Sequence, residues 1–374
     1  MAEALTIVLV GGGTGGHLYP GISVAQSLRE KLPDCRIVFF CTARELDRSI
    51  LEPTGYEFVE QPIVPPQKSV GGLLKFWNSW RDTKDLLYKW MKSTRPNAVL
   101  GLGGYAAGVG VKLAAQRKIA TAILNPDVIP GKANLYLARY SQAICSQFEQ
   151  TRSRLPAKEQ QKMQVTGCPI RSDILRRPAR EDAIKRLGLD PAQQTLVITG
   201  ASQGAQTVNE AVLTALPRLK LQGWQILHLS GKDHSVSVRQ GYRDADLSAA
   251  VVDFTPDMAD VWAVADLAIS RAGASSIAEL CVCGVPSILM PYPYHKDMHQ
   301  RANAQVVADA GAGILLDDQK DRIKNADKLT PILESLLFDA TKRVTMTRAA
   351  TSLGRPDAAH AVAQVLIQLA SAGR

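Results

Sequence analysis

A short β-branched run that ends in glycine and opens directly into a helix restricts this chain more than any other feature, because it recurs. Residues 6–28 read TIVLVGGGTGGHLYPGISVAQSL. A strand apolar at every position is buried on both faces, and a glycine turn leading to a helix is how a parallel strand passes to its crossover. Further runs follow at CRIVFFCT, AVLGLGG, TAILNPD, QAICSQF and KMQVTGC. After the polar, proline-containing stretch CPIRSDILRRPARED the series restarts with TLVITGA, WQILHLSG, AAVVDFT, LAISRAG, SILMPYP and GILLDD. The pattern predicts two Rossmann-like α/β domains, each a doubly wound parallel sheet, joined near residue 170. At 374 residues the chain is too long for one core, which agrees with two.

Composition narrows the class. With 46% hydrophobic and 21% charged residues the chain has the make-up of a globular enzyme and not of a disordered one. Apolar stretches are broken well short of the roughly 18 residues that a membrane span requires. The N-terminal MAEALTIVLVGGG has no basic leader region or cleavage site, so a cytoplasmic location is expected. Six cysteines, at 35, 41, 145, 168, 281 and 283, lie mostly in apolar runs and read as buried thiols rather than a metal site. A formal charge of +9 points to anionic partners.

Gly11-x-Gly13-x-x-Gly16 fits a dinucleotide fingerprint, but that motif needs a carboxylate at the end of the second strand. The strand ends FFCTAREL, with Cys41, Thr42 and Arg44 at that place. Arg44 leaves an NADP enzyme open. Comparable turns recur at GLGGYAAG, TGASQGA and SRAGASS, each opening a helix, so backbone N–H groups and helix dipoles point out of the strand ends. Four such turns suit a ligand carrying diphosphate, held in a cleft between the two sheets' carboxyl edges.

The combination GGGTGGHLYPGISVAQSL, LGLGGY, TGASQGAQTVNEAV and SRAGASSIAELCVCGVPSILMPYPYHKDMHQRANA resembles the MurG family, the bacterial N-acetylglucosaminyltransferases that convert lipid I to lipid II. The resemblance implies a GT-B fold whose C-terminal helix returns to the first domain. It places residues 1–168 with about 350–374 in an acceptor and membrane domain, and 169–349 in a UDP-GlcNAc domain. It implies inverting transfer of GlcNAc from UDP-GlcNAc to the MurNAc 4-hydroxyl of a polyprenyl-diphosphate acceptor. No cofactor or metal is expected. The implied setting is the cytoplasmic face of the inner membrane, among cell-wall synthesis proteins.

An inverting transfer needs a base at the acceptor and stabilisation of the departing diphosphate. By resemblance His17 is the first candidate base, with Asp127 a second; His17 could instead only bond a phosphate or a neighbouring loop. The donor residues implied are Thr14, Gly15, Gly16, Arg171, Ser202, Gln203, Thr255, Arg271, Ala274, Ser275, Ser276, Glu279 and Gln300, with Glu279 on the ribose. Gly103, Gly104 and Tyr105 fall to the acceptor. One segment departs from the family. Where His-Glu-Gln-Asn is common, this chain has Leu124-Asn125-Pro126-Asp127, and Cys168 replaces the asparagine before Pro169. Asn125 cannot act as a base, which keeps open another lipid acceptor, or a catalytically silent nucleotide-sugar-binding scaffold.

Membrane contact is suggested by the residues themselves. In QKSVGGLLKFWNSWRDTKDLLYKWMKSTR, Leu73, Phe76, Trp77 and Trp80 form one helical stripe, and seven basic residues face two acidic ones. That combination suits an anionic lipid surface as well as an ordinary core-facing helix. No nucleic-acid motif is present.

Three further signals carry less. His295 and His299 have the i, i+4 spacing of a zinc helix, but Lys296 stands where a metalloprotease glutamate would, so no metal is expected. Asp244-Ala-Asp246 lies in a polar stretch and reads as a solvated turn. Ser202 meets Gly-x-Ser-x-Gly spacing, yet a hydrolase would not need a complete Rossmann-like domain before it.

Overall fold

The computed structural model describes residues 5–200 and 204–372. These form two compact units, one of residues 5–171 with 356–372 and the other of 172–200 with 204–355. Ser202 and Gln203 lie outside the described residues.

The first unit is built on β1 (Thr6–Val10), β2 (Arg36–Thr42), β3 (Glu57–Gln61), β4 (Ala98–Gly101), β5 (Ala120–Asn125), β6 (Ala143–Ser146) and β7 (Met163–Val165). Their spatial order is β3-β2-β1-β4-β5-β6-β7, and every pairing is parallel. The period of two along β1 sends Ile7 and Leu9 to one core and Val8 and Val10 to the other. The Ile7 and Leu9 side is covered by α1 (Gly15–Lys31) and by the C-terminal helix Ala358–Ala372 through Val362 and Leu366. Opposite lie α3 (Val70–Thr94), α4 (Ala107–Gln116) and α5 (Lys132–Ala138), which follow the short α2 (Glu45–Leu51).

β3 is a strand the sequence pattern does not reveal. Its residues EFVEQ carry two glutamates because it is the sheet edge, where Glu57 pairs with Arg36 of β2 at 2.8 Å.

The second unit holds β8 (Gln194–Thr199), β9 (Trp224–Leu229), β10 (Ala250–Val252), β11 (Ala265–Ser270), β12 (Ser287–Leu289) and β13 (Gly313–Leu315). These run in the order β10-β9-β8-β11-β12-β13 and are again parallel throughout. In each sheet the order reverses once, between β1 and β4 in the first and between β8 and β11 in the second. Ligands of open α/β sheets bind outside the strands' carboxyl ends at such a reversal. The four glycine turns are those that follow these four strands.

All six cysteines are free thiols, and five are buried.

Candidate functional site

In the first unit the turn after β1 is fixed by a residue that sequence reasoning passes over. Asp47, on α2 and fully buried, accepts Gly13 N–H at 2.8 Å, Thr42 N–H at 2.9 Å and the Thr42 hydroxyl at 2.7 Å. Its side chain occupies the space a Cβ on Gly12 would need, and Gly12 has φ +155°. The carboxylate missing from the end of β2 is therefore present five residues beyond Thr42, turned inward to brace the loop. Arg44 donates to the Gly13 carbonyl at 3.1 Å, so its guanidinium braces the same loop from the outside.

Thr14 caps α1 with extended backbone, and Gly15 and Gly16 open the helix. His17 follows in this first turn. Its Nδ1 lies 3.2 Å from Thr14 Oγ1 and 3.3 Å from the Gly12 carbonyl. The ring rests over Gly103 and Gly104, where an added Cβ would come within 3.3 and 2.9 Å of imidazole carbons. Both glycines have positive φ, 105° and 70°. The turn after β4 is thus made of the two residues that leave room for the imidazole. Burial lowers the His17 pKa below its usual 6.5, opposed in part by the Gly12 carbonyl and the carboxylates of Asp127 and Asp47. The ring is neutral at pH 7 and able to accept a proton. Tyr105 sits beside Gly13 and Arg44, and burial raises the pKa of its phenol.

The segment that departs from the family is tightly held. Asn125 donates to the Asp127 carbonyl at 2.7 Å. Asn134 of α5 donates at 3.0 Å both to Leu124 O and to Asn125 Oδ1. Thr151 adds a bond to the Asp127 carbonyl at 3.2 Å. The Oδ1 of Asn134 is buried with no hydrogen-bond partner, and it lies on the Gly103 side, beside His17. A buried acceptor left open is costly unless a ligand or water supplies a donor. Arg171 stacks over the Tyr19 ring of α1 at 5.4 Å.

In the second unit the helix Ala274–Cys283 begins after β11, with Gly273 as its extended N-cap. Ala274, Ser275 and Ser276 form its first turn, and both serines are partly exposed. Their hydroxyls and the free N–H groups there suit an anion. Glu279, one turn later, accepts the Trp262 indole N–H at 2.8 Å, which holds the carboxylate in place.

Arg271 is committed inside the protein. Its guanidinium donates to the Met290 carbonyl at 2.9 Å, the Pro291 carbonyl at 3.2 Å, Asp318 at 2.8 Å and the Thr207 hydroxyl at 2.7 Å. Burial alone would raise the Asp318 pKa. Hydrogen bonds from Thr207, Asn325, Arg271 and Lys320 N–H instead hold it below the carboxylate range. Gln300 Oε1 accepts from Tyr292 N–H at 2.9 Å and Ala272 N–H at 3.3 Å, linking the strand-end loops of β11 and β12. Thr255 turns its hydroxyl back to Asp257 N–H at 3.0 Å, next to the exposed Phe254. Asp246 sits at φ +52° in an exposed turn closing its helix, consistent with a solvated role.

Of the aromatic stripe on α3, Leu73 and Trp77 are exposed while Phe76 and Trp80 are half-buried, their rings 5.7 Å apart. The face turned inward carries Gly72, Ser79, Thr83, Leu87 and Met91. Val70 and Leu74 join the outward apolar surface, at 86% and 63% exposure. No helix among the described residues is long and apolar enough to cross a membrane.

Two parallel-sheet units with glycine turns at their reversal points make the GT-B fold, and the family match places this chain among the glycosyltransferases. Residues 7–146 match the glycosyltransferase family 28 N-terminal domain and residues 195–362 its C-terminal domain. The chain belongs to the MurG family within that class. It is 34% identical over 371 residues to the UDP-N-acetylglucosamine--N-acetylmuramyl-(pentapeptide) pyrophosphoryl-undecaprenol N-acetylglucosamine transferase of Thermodesulfovibrio yellowstonii, covering 96% of this chain and 98% of that protein. It is 32% identical over 377 residues to the protein of the same name from Bacteroides fragilis, covering 98% and 96%. The crystal structure of Acinetobacter baumannii MurG superposes with TM-score 0.77 at 25% identity, over 97% of this chain and 99% of that one.

Proposed function

We propose that this protein transfers GlcNAc from UDP-GlcNAc to the 4-hydroxyl of MurNAc-pentapeptide on undecaprenyl diphosphate, making lipid II from lipid I with inversion. The observation that carries the chemistry is His17, neutral and set in the first turn of α1 above two glycines. In this reading the imidazole takes the acceptor hydroxyl proton as that oxygen attacks the anomeric carbon. The bond from that carbon to the UDP phosphate breaks, and the diphosphate leaves with the electron pair. Asp127 supports the imidazolium by its charge. Gly103, Gly104 and Tyr105 border the acceptor, where the open Asn134 oxygen can receive a hydroxyl or amide proton.

Donor binding is assigned to the second unit. Ala274, Ser275 and Ser276 hold the diphosphate on the helix N-terminus. Glu279 accepts the ribose hydroxyls in the position set by Trp262. Thr255 and Gln300 shape the rest of the nucleotide-sugar site in that unit. Arg271 acts through the loops it ties. Transfer uses no metal or cofactor in this reading.

The protein works peripherally, at the cytoplasmic face of the membrane that holds its acceptor. Val70, Leu73, Leu74 and Trp77 enter the interface, and the lysines of α3 meet anionic headgroups. Labelled GlcNAc transfer to a short-chain lipid I analogue, run in EDTA with UDP release in parallel, tests this directly. Stoichiometric product and UDP are expected. UDP-GlcNAc binding without transfer to lipid I would favour another lipid acceptor, as the Leu124 to Asp127 segment allows.

A further inference from the structure

The two histidines that suggest a zinc helix are not on one helix. His295 precedes it, and the helix begins at His299. Between them the chain turns back, with Met298 N–H donating to the His295 carbonyl at 3.2 Å and Met298 at φ +52°. The reversal stacks the His295 and His299 rings, with centroids 4.5 Å apart and planes 28° from parallel. It also brings in Asp297, which the spacing of the histidines alone does not suggest. Asp297 Oδ1 lies 2.7 Å from His299 Nδ1 and accepts His299 N–H at 3.4 Å. One potential ligand atom from each of the three residues lies within 4.8 Å of the others.

We propose that His295, Asp297 and His299 form a binding site for a divalent late transition metal of the zinc class. Two imidazoles and one carboxylate are the donor set such ions select, and hard cations held by oxygen ligands are not. Neighbouring ligand atoms around a four-coordinate ion stand about 3.3 Å apart, within reach of rotations of three surface side chains. His295 and Asp297 are exposed and His299 is half-buried, so an ion can enter and a fourth position stays open to water. Lys296 lies within the turn itself, and Lys320 lies over the Tyr294 ring at 4.6 Å.

The site's place in the fold gives it a consequence. Its last ligand begins the helix whose next residue, Gln300, links the loops after β11 and β12. An ion here ties the exposed turn 295–298 to that helix.

The test is titration of the chelator-treated full-length protein with Co2+, followed by its visible d–d absorption, and then competition with Zn2+. A ligand-field band that saturates at one ion per chain and is bleached by Zn2+ is expected. His299→Gln and Asp297→Asn should each weaken binding at least about tenfold. His360→Gln, which removes a surface histidine beside Glu30 in the first unit, should leave it unchanged. Circular dichroism establishes that the variants are folded. Absence of the band, or a band that survives both His299→Gln and Asp297→Asn, would overturn the assignment.

Discussion

The glycine turn after β1 hangs on a buried carboxylate, whereas the turn after β11 hangs on a buried guanidinium. Asp47 satisfies its charge with two backbone N–H groups and one hydroxyl. Arg271 meets two carbonyls, a hydroxyl and Asp318 through its two terminal nitrogens, while its buried Nε has no partner. Beneath the first turn the Asp47 carboxylate raises the proton affinity of the His17 imidazole, with Arg44 held on the outer side of the same loop. Beneath the second, the cation and carboxylate balance, and the exposed helix N-terminus at Ser275 and Ser276 remains free to attract diphosphate.

Breaking the first arrangement should have the largest effect. His17→Ala is expected to lower kcat by about 100- to 10,000-fold, the usual worth of a positioned base, with an unchanged melting temperature. In the parent protein kcat/KM should be on its plateau at neutral pH and fall on the acid side, with a midpoint lowered by burial from the usual 6.5, because protonation removes the base. The variant's residual activity should lack that acid limb. A pH–rate profile of both proteins checks this.

Breaking the second should act on stability. Arg271 is 6% exposed, and its loss leaves Asp318 as an uncompensated buried charge. Arg271→Ala should cost about 3–5 kcal/mol in chemical denaturation. Arg271→Lys should recover little of it, since a single ammonium cannot serve two carbonyls, a hydroxyl and a carboxylate in that geometry. A variant as stable as the parent would show that the network is incidental.

A smaller change sharpens the contrast. Trp262→Phe keeps a smaller aromatic ring there and removes the indole N–H that bonds Glu279. KM for UDP-GlcNAc should rise several-fold, about 1 kcal/mol, with kcat nearly constant. Steady-state kinetics separate the two parameters.

The doubly wound sheets were legible because buried parallel strands are apolar at every position and end in glycine. β3 escaped because an edge strand can carry Glu57 and Glu60. Asp47 escaped because the dinucleotide comparison looks for its carboxylate at the strand end, and the structure supplies it from the following helix. Arg271 looks like a ligand-facing arginine in sequence, and only the fold brings Thr207 and Asp318, far along the chain, to its guanidinium. The i, i+4 spacing of His295 and His299 imitates a zinc helix because a left-handed residue such as Met298 leaves no mark in periodicity. Glu279 could be placed on the correct helical face, while its partner Trp262 depends on tertiary packing.

The central claim is that the first unit contributes the base and the second contributes the donor-binding carboxylate. Calorimetric titration of UDP-GlcNAc into the His17→Ala and Glu279→Ala proteins tests it most directly. The account predicts parent-like affinity for His17→Ala despite its lost turnover, and at least tenfold weaker binding for Glu279→Ala. Equal loss of donor affinity in both, or full affinity in Glu279→Ala, would contradict it.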